Sequence, residues 1–341
     1  MLPALHFSLN ALVVTGGEMI RLMLFTALAA LPAITHAEIP TPPPPPPPFT
    51  VLTDEFARFA DETVDLPDAE RVEKFHAVFD PLLPGYYNNK GKGQARFDTI
   101  IAASLKSFPK DRAGITATTE RFADAYATGE ARFRKFFPDY RQQMPVYLVH
   151  SINQMDGGTR TIKGRVTLLF GADMIARIHD QSTIGPLLDH ELFHSYHTRF
   201  FRDCSQLWCS LWSEGLAVYV TQRMNPGATD RQLLLTIPVP IRPVVEPRLG
   251  EAMCALRGKM ESTAQPDYAE FFNFRMAKSE FPSRFGYYLG LLIAEKIGSD
   301  VPIAKLVKLP NAKVRLLIDK AVSSYGPCPT PTPAAPAPAI P

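Results

Sequence analysis

The stretch LLDHELFHSYH, Leu187 to His197, decides how this chain is read. On a helix, residues four apart lie one turn above each other on the same face. His190 and His194 stand at that spacing, so their imidazoles can converge on one ion, and Glu191 sits beside the first. Two histidines at that spacing are a weak signal. With the glutamate inserted they read H-E-x-x-H, in which the histidines hold zinc and the glutamate serves as base. Leu187, Leu188, Leu192, Phe193 and Tyr196 fill the other faces, and a helix apolar nearly all round is buried. Two histidines and two acids, Asp189 and Glu191, are costly in such a helix unless something compensates them, and a divalent cation does so. The competing reading is a core helix with hydrogen-bonded histidines.

Catalytic zinc takes three protein ligands and keeps one position for water. The residue six past His194 is Phe200, so the third histidine of the metzincin pattern is absent. His197 lies on the right face, but about 10 Å of helix rise separates it from His190, too far for one ion. It reads as core or as support for a ligand. The acid that fits is Glu214 in LWSEGLAVY, which opens the next helix and can aim a carboxylate at the ion. Gly215 would let that helix approach the first closely. The plain alternative for Glu214 is an acid favoured at a helix start by the dipole.

H-E-x-x-H followed about twenty residues later by WSEGLAVY resembles the gluzincin zinc metallopeptidases. The likeness is nearest to their aminopeptidase-like branch and its predicted-protease relatives. It covers roughly residues 145–225, with a fainter echo to 298. It implies a zincin-like domain with one Zn2+ held by His190, His194 and Glu214, and Glu191 as general base. The implied substrate is a peptide or unfolded protein. Gluzincins often supply a tyrosine from a later helix to steady the tetrahedral intermediate. In SRFGYYLGLLIAEKIG that role falls first to Tyr287 and second to Tyr288, against the alternative of two core aromatics. Two features depart from the family. Val218 stands where the thermolysin type has an acid four residues after the glutamate ligand, and no N-terminus-binding motif of the aminopeptidases is present. Two other functions fit the same motif: a non-catalytic envelope protein with a structural metal site, and a zinc hydrolase of a non-peptide amide or ester.

Outside this core, residues 51–140 place apolar residues at three- and four-residue steps and predict helices. Pro67 suits a first helical position. MPVYLVHSI and TIKGRVTLLF predict strands, and MDGG between them (Met155 to Gly158) predicts a hairpin turn. The strand around Val166 to Phe170 is expected at a sheet edge above the cleft, where an extended substrate could pair. After Pro226-Gly227 the chain returns to helix, notably over 286–298. The predicted class is α+β: a mostly helical zincin-like domain over 51–325, with a small antiparallel sheet beside the H-E-x-x-H helix. Its parts are a helical segment at 51–140, a metal-site core at 141–225 and a helical end at 226–325.

Composition narrows the partners. The 341 residues are 46% hydrophobic with a net charge of +2, which points to neither nucleic acid nor an acidic membrane. KGKGQARF (Lys90 to Phe97) lacks P-loop spacing. Residues 1–37 predict an export signal, with translation expected from Met19, an apolar run too short to span a bilayer, and small residues Thr35 and Ala37 before a cut at Glu38. A proline-rich spacer follows at 38–50, and a Pro/Ala-rich disordered tail is expected at 326–341. Export to the periplasm or beyond implies an oxidising compartment for the four cysteines. Three pairings are possible and sequence does not choose between them; the expectation adopted is Cys204–Cys209 with Cys254–Cys328.

Overall fold

The computed structural model describes residues 49–88, 93–274 and 279–328. The predicted export signal, nearly all of the proline spacer and the tail beyond 328 lie outside the described residues.

Apolar residues at helical steps build the first layer, α1 (Thr53–Glu62), α2 (Asp68–Leu82) and α3 (Gln94–Phe136). Their shared faces are rings: Phe56 meets Phe75, Phe79 and Phe108 with centroids 5.2–6.1 Å apart. The two predicted stretches RFDTIIAASLKSF and TTERFADAYATGEARFRKFF are one helix of 43 residues that runs through Pro109. A proline there removes one backbone hydrogen bond. Buried Leu105, Phe108 and Ile115 on either side of it carry the helix across the gap.

The sheet is pieced together from distant segments. Phe49–Val51 (β1) runs parallel to Val146–Val149 (β2), β2 runs parallel to Arg165–Gly171 (β4), and Gly157–Ile162 (β3) pairs antiparallel with β4. The order is β1-β2-β4-β3, so the sheet is mixed rather than antiparallel. The predicted hairpin across MDGG does not form. Instead TIKGRVTLLF folds on itself at Lys163 (φ 50°) and Gly164 (φ 73°). Both central residues of a tight type I′ turn need positive φ. The strand at 166–170 is therefore interior, and the free edge beside the site is β3.

α4 (Ala172–Ile178) leads to α5 (Ile184–His197) and α6 (Leu207–Met224). The remainder is α7 (Arg242–Val245), a 3-10 turn at Glu246–Arg248, α8 (Leu249–Arg257), α9 (Gln265–Phe272), α10 (Phe285–Gly298), α11 (Ile303–Leu306) and α12 (Asn311–Ser323). The fold is thus α+β and mainly helical. No described helix is long and apolar enough to cross a membrane.

Gly215 does permit a close approach, but to α10 rather than α5. A Cβ at Gly215 would lie 2.2 Å from the Gly290 carbonyl carbon, and one at Gly290 would lie 2.6 Å from Leu211 O. Neither position has room for a methyl group. Both cysteine pairs form disulfides, Cys204–Cys209 and Cys254–Cys328. The second joins α8 to Cys328, within the segment predicted to be tail.

Candidate metal centre

α5 is buried on nearly all sides, as its sequence predicts. α3 covers one side, β3 another and α6 a third. Its one-turn spacing brings the Nε2 atoms of His190 and His194 to 3.0 Å from each other. Glu214, on the second turn of α6, places Oε2 3.3 Å from each of them. His190, His194 and Glu214 form a group able to hold a metal ion. Donors about 2.0–2.1 Å from a tetrahedral ion stand about 3.3 Å apart, so three such atoms outline one face of that tetrahedron.

Electrostatics agree with that geometry. Burial alone would raise the Glu214 carboxyl, but the neighbouring His194 charge and hydrogen bonds from both imidazoles hold it well below the usual range. Burial lowers His190. It would lower His194 as well, but Glu214 outweighs it and lifts that imidazole to about 9.

Glu191 is placed beside this triangle and is not part of it. Burial lifts its carboxyl to about 8, and its Oε2 is buried with no hydrogen-bond partner among the described residues. A buried acceptor left unpaired is expensive, and a polar guest at the centre would relieve it. The edge strand presses on this side chain: a Cβ at Gly157 would lie 2.7 Å from Glu191 Cγ and 2.9 Å from Cδ.

Asp189 needs no ion. Its Oδ1 accepts from Arg132 Nη2 (2.8 Å) and its Oδ2 from Asn225 Nδ2 (2.7 Å). One fully buried carboxylate thus ties α5 to α3 and to the end of α6. His197 is core, stacked on Phe193 and Phe201, and burial holds it down to about 3.

The two tyrosines separate. Tyr288 is buried away from the centre, its hydroxyl accepting from Arg242 Nη1 at 3.2 Å. Tyr287 faces the centre, its ring 6.3 Å from that of His190, and burial keeps its phenol well above 10.

Three participants were not expected from sequence. Asp156, in the MDGG turn, accepts from His179 Nε2 at 2.9 Å and so fixes the start of β3. Gly157 lies on Glu191. Arg284, at φ 66°, lays its guanidinium 4.4 Å over the Tyr287 ring. The DGG triplet marks the first two as turn residues, but nothing local reports what they touch. Arg284 sits in no pattern. A cleft of about 600 Å³ opens beside the centre, with Asp156, Phe272, Arg284 and Tyr287 in its wall.

No family model matches this chain, and no curated protein or solved structure is similar to it.

Proposed function

We propose that this protein is an exported zinc metallopeptidase acting on extended peptide or unfolded protein segments. The observation that carries the reading is the tetrahedral face of His190, His194 and Glu214 beside a buried, unpartnered Glu191 oxygen. Imidazole-plus-carboxylate ligation favours zinc among divalent ions. Held there, zinc supplies Lewis-acid activation of water and of a scissile carbonyl. Glu191 takes the proton of the attacking water and hands it to the leaving amine. Burial strengthens that role, because among the described residues no group donates to its Oε2. Tyr287 is held protonated and donates to the developing oxyanion. An extended substrate adds to the free edge of β3, where Gly157 already touches the base. Two disulfides fit an oxidising compartment outside the cytosol.

The test pairs metal analysis with Glu191→Gln. The variant should keep one equivalent of metal while cleavage of unfolded casein falls at least about a hundredfold. Equal cleavage by both proteins would rule out Glu191 as the base, and retained metal with no cleavage of any substrate by the wild type would favour a structural metal. Turnover of simple esters without any cleavage of casein would make the chain a non-peptide hydrolase.

A further inference from the structure

The cleft beside the centre is unusually rich in arginine. Arg96 from the start of α3, Arg177 from α4 and Arg284 from the start of α10 all line it, against Asp156 as the one acid among the described residues. That acid is already paired with His179 at 2.9 Å. Among the described residues no carboxylate lies within 3 Å of any of the three guanidinium groups. Arg96 makes no hydrogen bond or ion pair among the described residues. Among the described residues Arg177 has only Asp111 at 3.5 Å, and Arg284, whose guanidinium lies over the Tyr287 ring, donates only to the carbonyls of Leu234 and Ile237, at 3.4 and 3.3 Å. Arg284 also holds a left-handed backbone conformation, φ 66°. Such strain in a non-glycine residue persists where the surroundings demand it and clusters at binding sites. The wall also carries Met174, Phe272 and Phe274, which offer an apolar surface beside the amides of Asn153, Gln154 and Asn273. Phe274 is 44% exposed, a large ring left facing solvent.

We propose that this cleft is a specificity pocket for a carboxylate carried on an apolar stem, next to the bond to be cut. A guanidinium matches a carboxylate with two parallel N–H donors, and the aromatic wall takes the stem. The carboxylate is either an acidic side chain or the C-terminus of the peptide. The substrate class rests on the peptidase reading above; the site itself rests on the arginines.

Fluorescence anisotropy on the full-length Glu191→Gln protein with added zinc tests it without turnover. The probes are labelled unstructured peptides carrying Glu or Gln at one position, each with a free or an amidated C-terminus. Loss of the recognised carboxylate should weaken binding about tenfold, the scale of one charge-assisted hydrogen bond. A penalty for Glu to Gln identifies the side chain, and a penalty for amidation identifies the terminus. Either penalty should vanish in Arg284→Gln and shrink with salt. If that variant melts early, Arg96→Gln with Arg177→Gln, both at exposed positions, replaces it. Binding of all peptides within twofold, or discrimination that survives the arginine variants, overturns the proposal. Discrimination without casein cleavage by the wild type would sink the peptidase reading and leave the carboxylate site standing. Cleavage without discrimination would remove the carboxylate site alone.

Discussion

Around Phe56 the first three helices meet through rings, and even the histidine there, His150, lies flat on Phe56 with centroids 3.8 Å apart. Around Glu214 the helices meet through bare backbone and buried polar pairs: Gly215 on Gly290, and Asp189 between Arg132 and Asn225. Rings fill space in a graded way, so a smaller or shifted ring loses contact in proportion to its area. Backbone contact and buried charge are all-or-none. The lesson is that the centre's geometry depends on features a single methyl group or a single lost acceptor can undo, while the aromatic layer absorbs comparable insults.

The sharpest attack on that contrast is Gly290→Ala. Its methyl group would collide with Leu211 O and the Gly215 backbone, and we expect more than about 3 kcal/mol of destabilisation, read by denaturant titration. A loss below about 1 kcal/mol would mean the helices slide apart freely, and the contrast fails. Next comes Asp189→Ala, which strands a part-buried guanidinium and an amide; about 3 kcal/mol is expected from the same titration. Gly157→Ala should act on chemistry more than on folding. Its Cβ displaces the Glu191 carboxyl, so cleavage should fall about a hundredfold, while metal content stays unchanged by elemental analysis.

The smallest effect concerns pH in the aromatic layer. Burial, opposed weakly by Asp173, lowers the His150 pKa, and its Nδ1 accepts from Ile152 N–H. The unfolded chain takes up a proton near pH 6.5 that the folded chain refuses. Stability is therefore intact above that pH and declines below it, by up to about 1.4 kcal/mol per pH unit. His150→Asn keeps an acceptor and removes this loss, so its stability should fall less steeply between pH 6 and 5. An unchanged slope would show that His150 is protonated in the fold. His197 contributes in the same direction and remains in the variant.

Much of the fold and the donor triangle is legible because helical signals are local. Gly185-Pro186 lies in the first turn of α5, the i,i+4 histidines share a face by geometry, and Glu214 lies in a helix marked by its apolar run, although that helix starts at Leu207 rather than at the glutamate. What escaped is non-local. Phe49–Val51 is too short to signal a strand, and its parallel partner lies almost a hundred residues away at 146–148. The Lys163-Gly164 turn in TIKGRVTLLF is masked in the sequence by strand formers on both sides. Gly215 beside a ligand glutamate signals a close helix contact, yet sequence cannot name α10 as the helix it touches. Arg284 could not be found at all, since its importance arises only where α10, the 273–274 segment and α4 converge.

The Cys254–Cys328 bond spans 74 positions and encloses α9, α10, α11 and α12 in a covalent ring. Constraining the unfolded chain this way is worth on the order of 4 kcal/mol in the chain-entropy view. It has a further consequence wherever the chain meets a protease. Any single backbone cut inside the ring leaves two pieces still tethered, and the helix bearing Tyr287 and Gly290 stays attached to the body it braces. Nicked protein should therefore migrate as one species until a reductant is added.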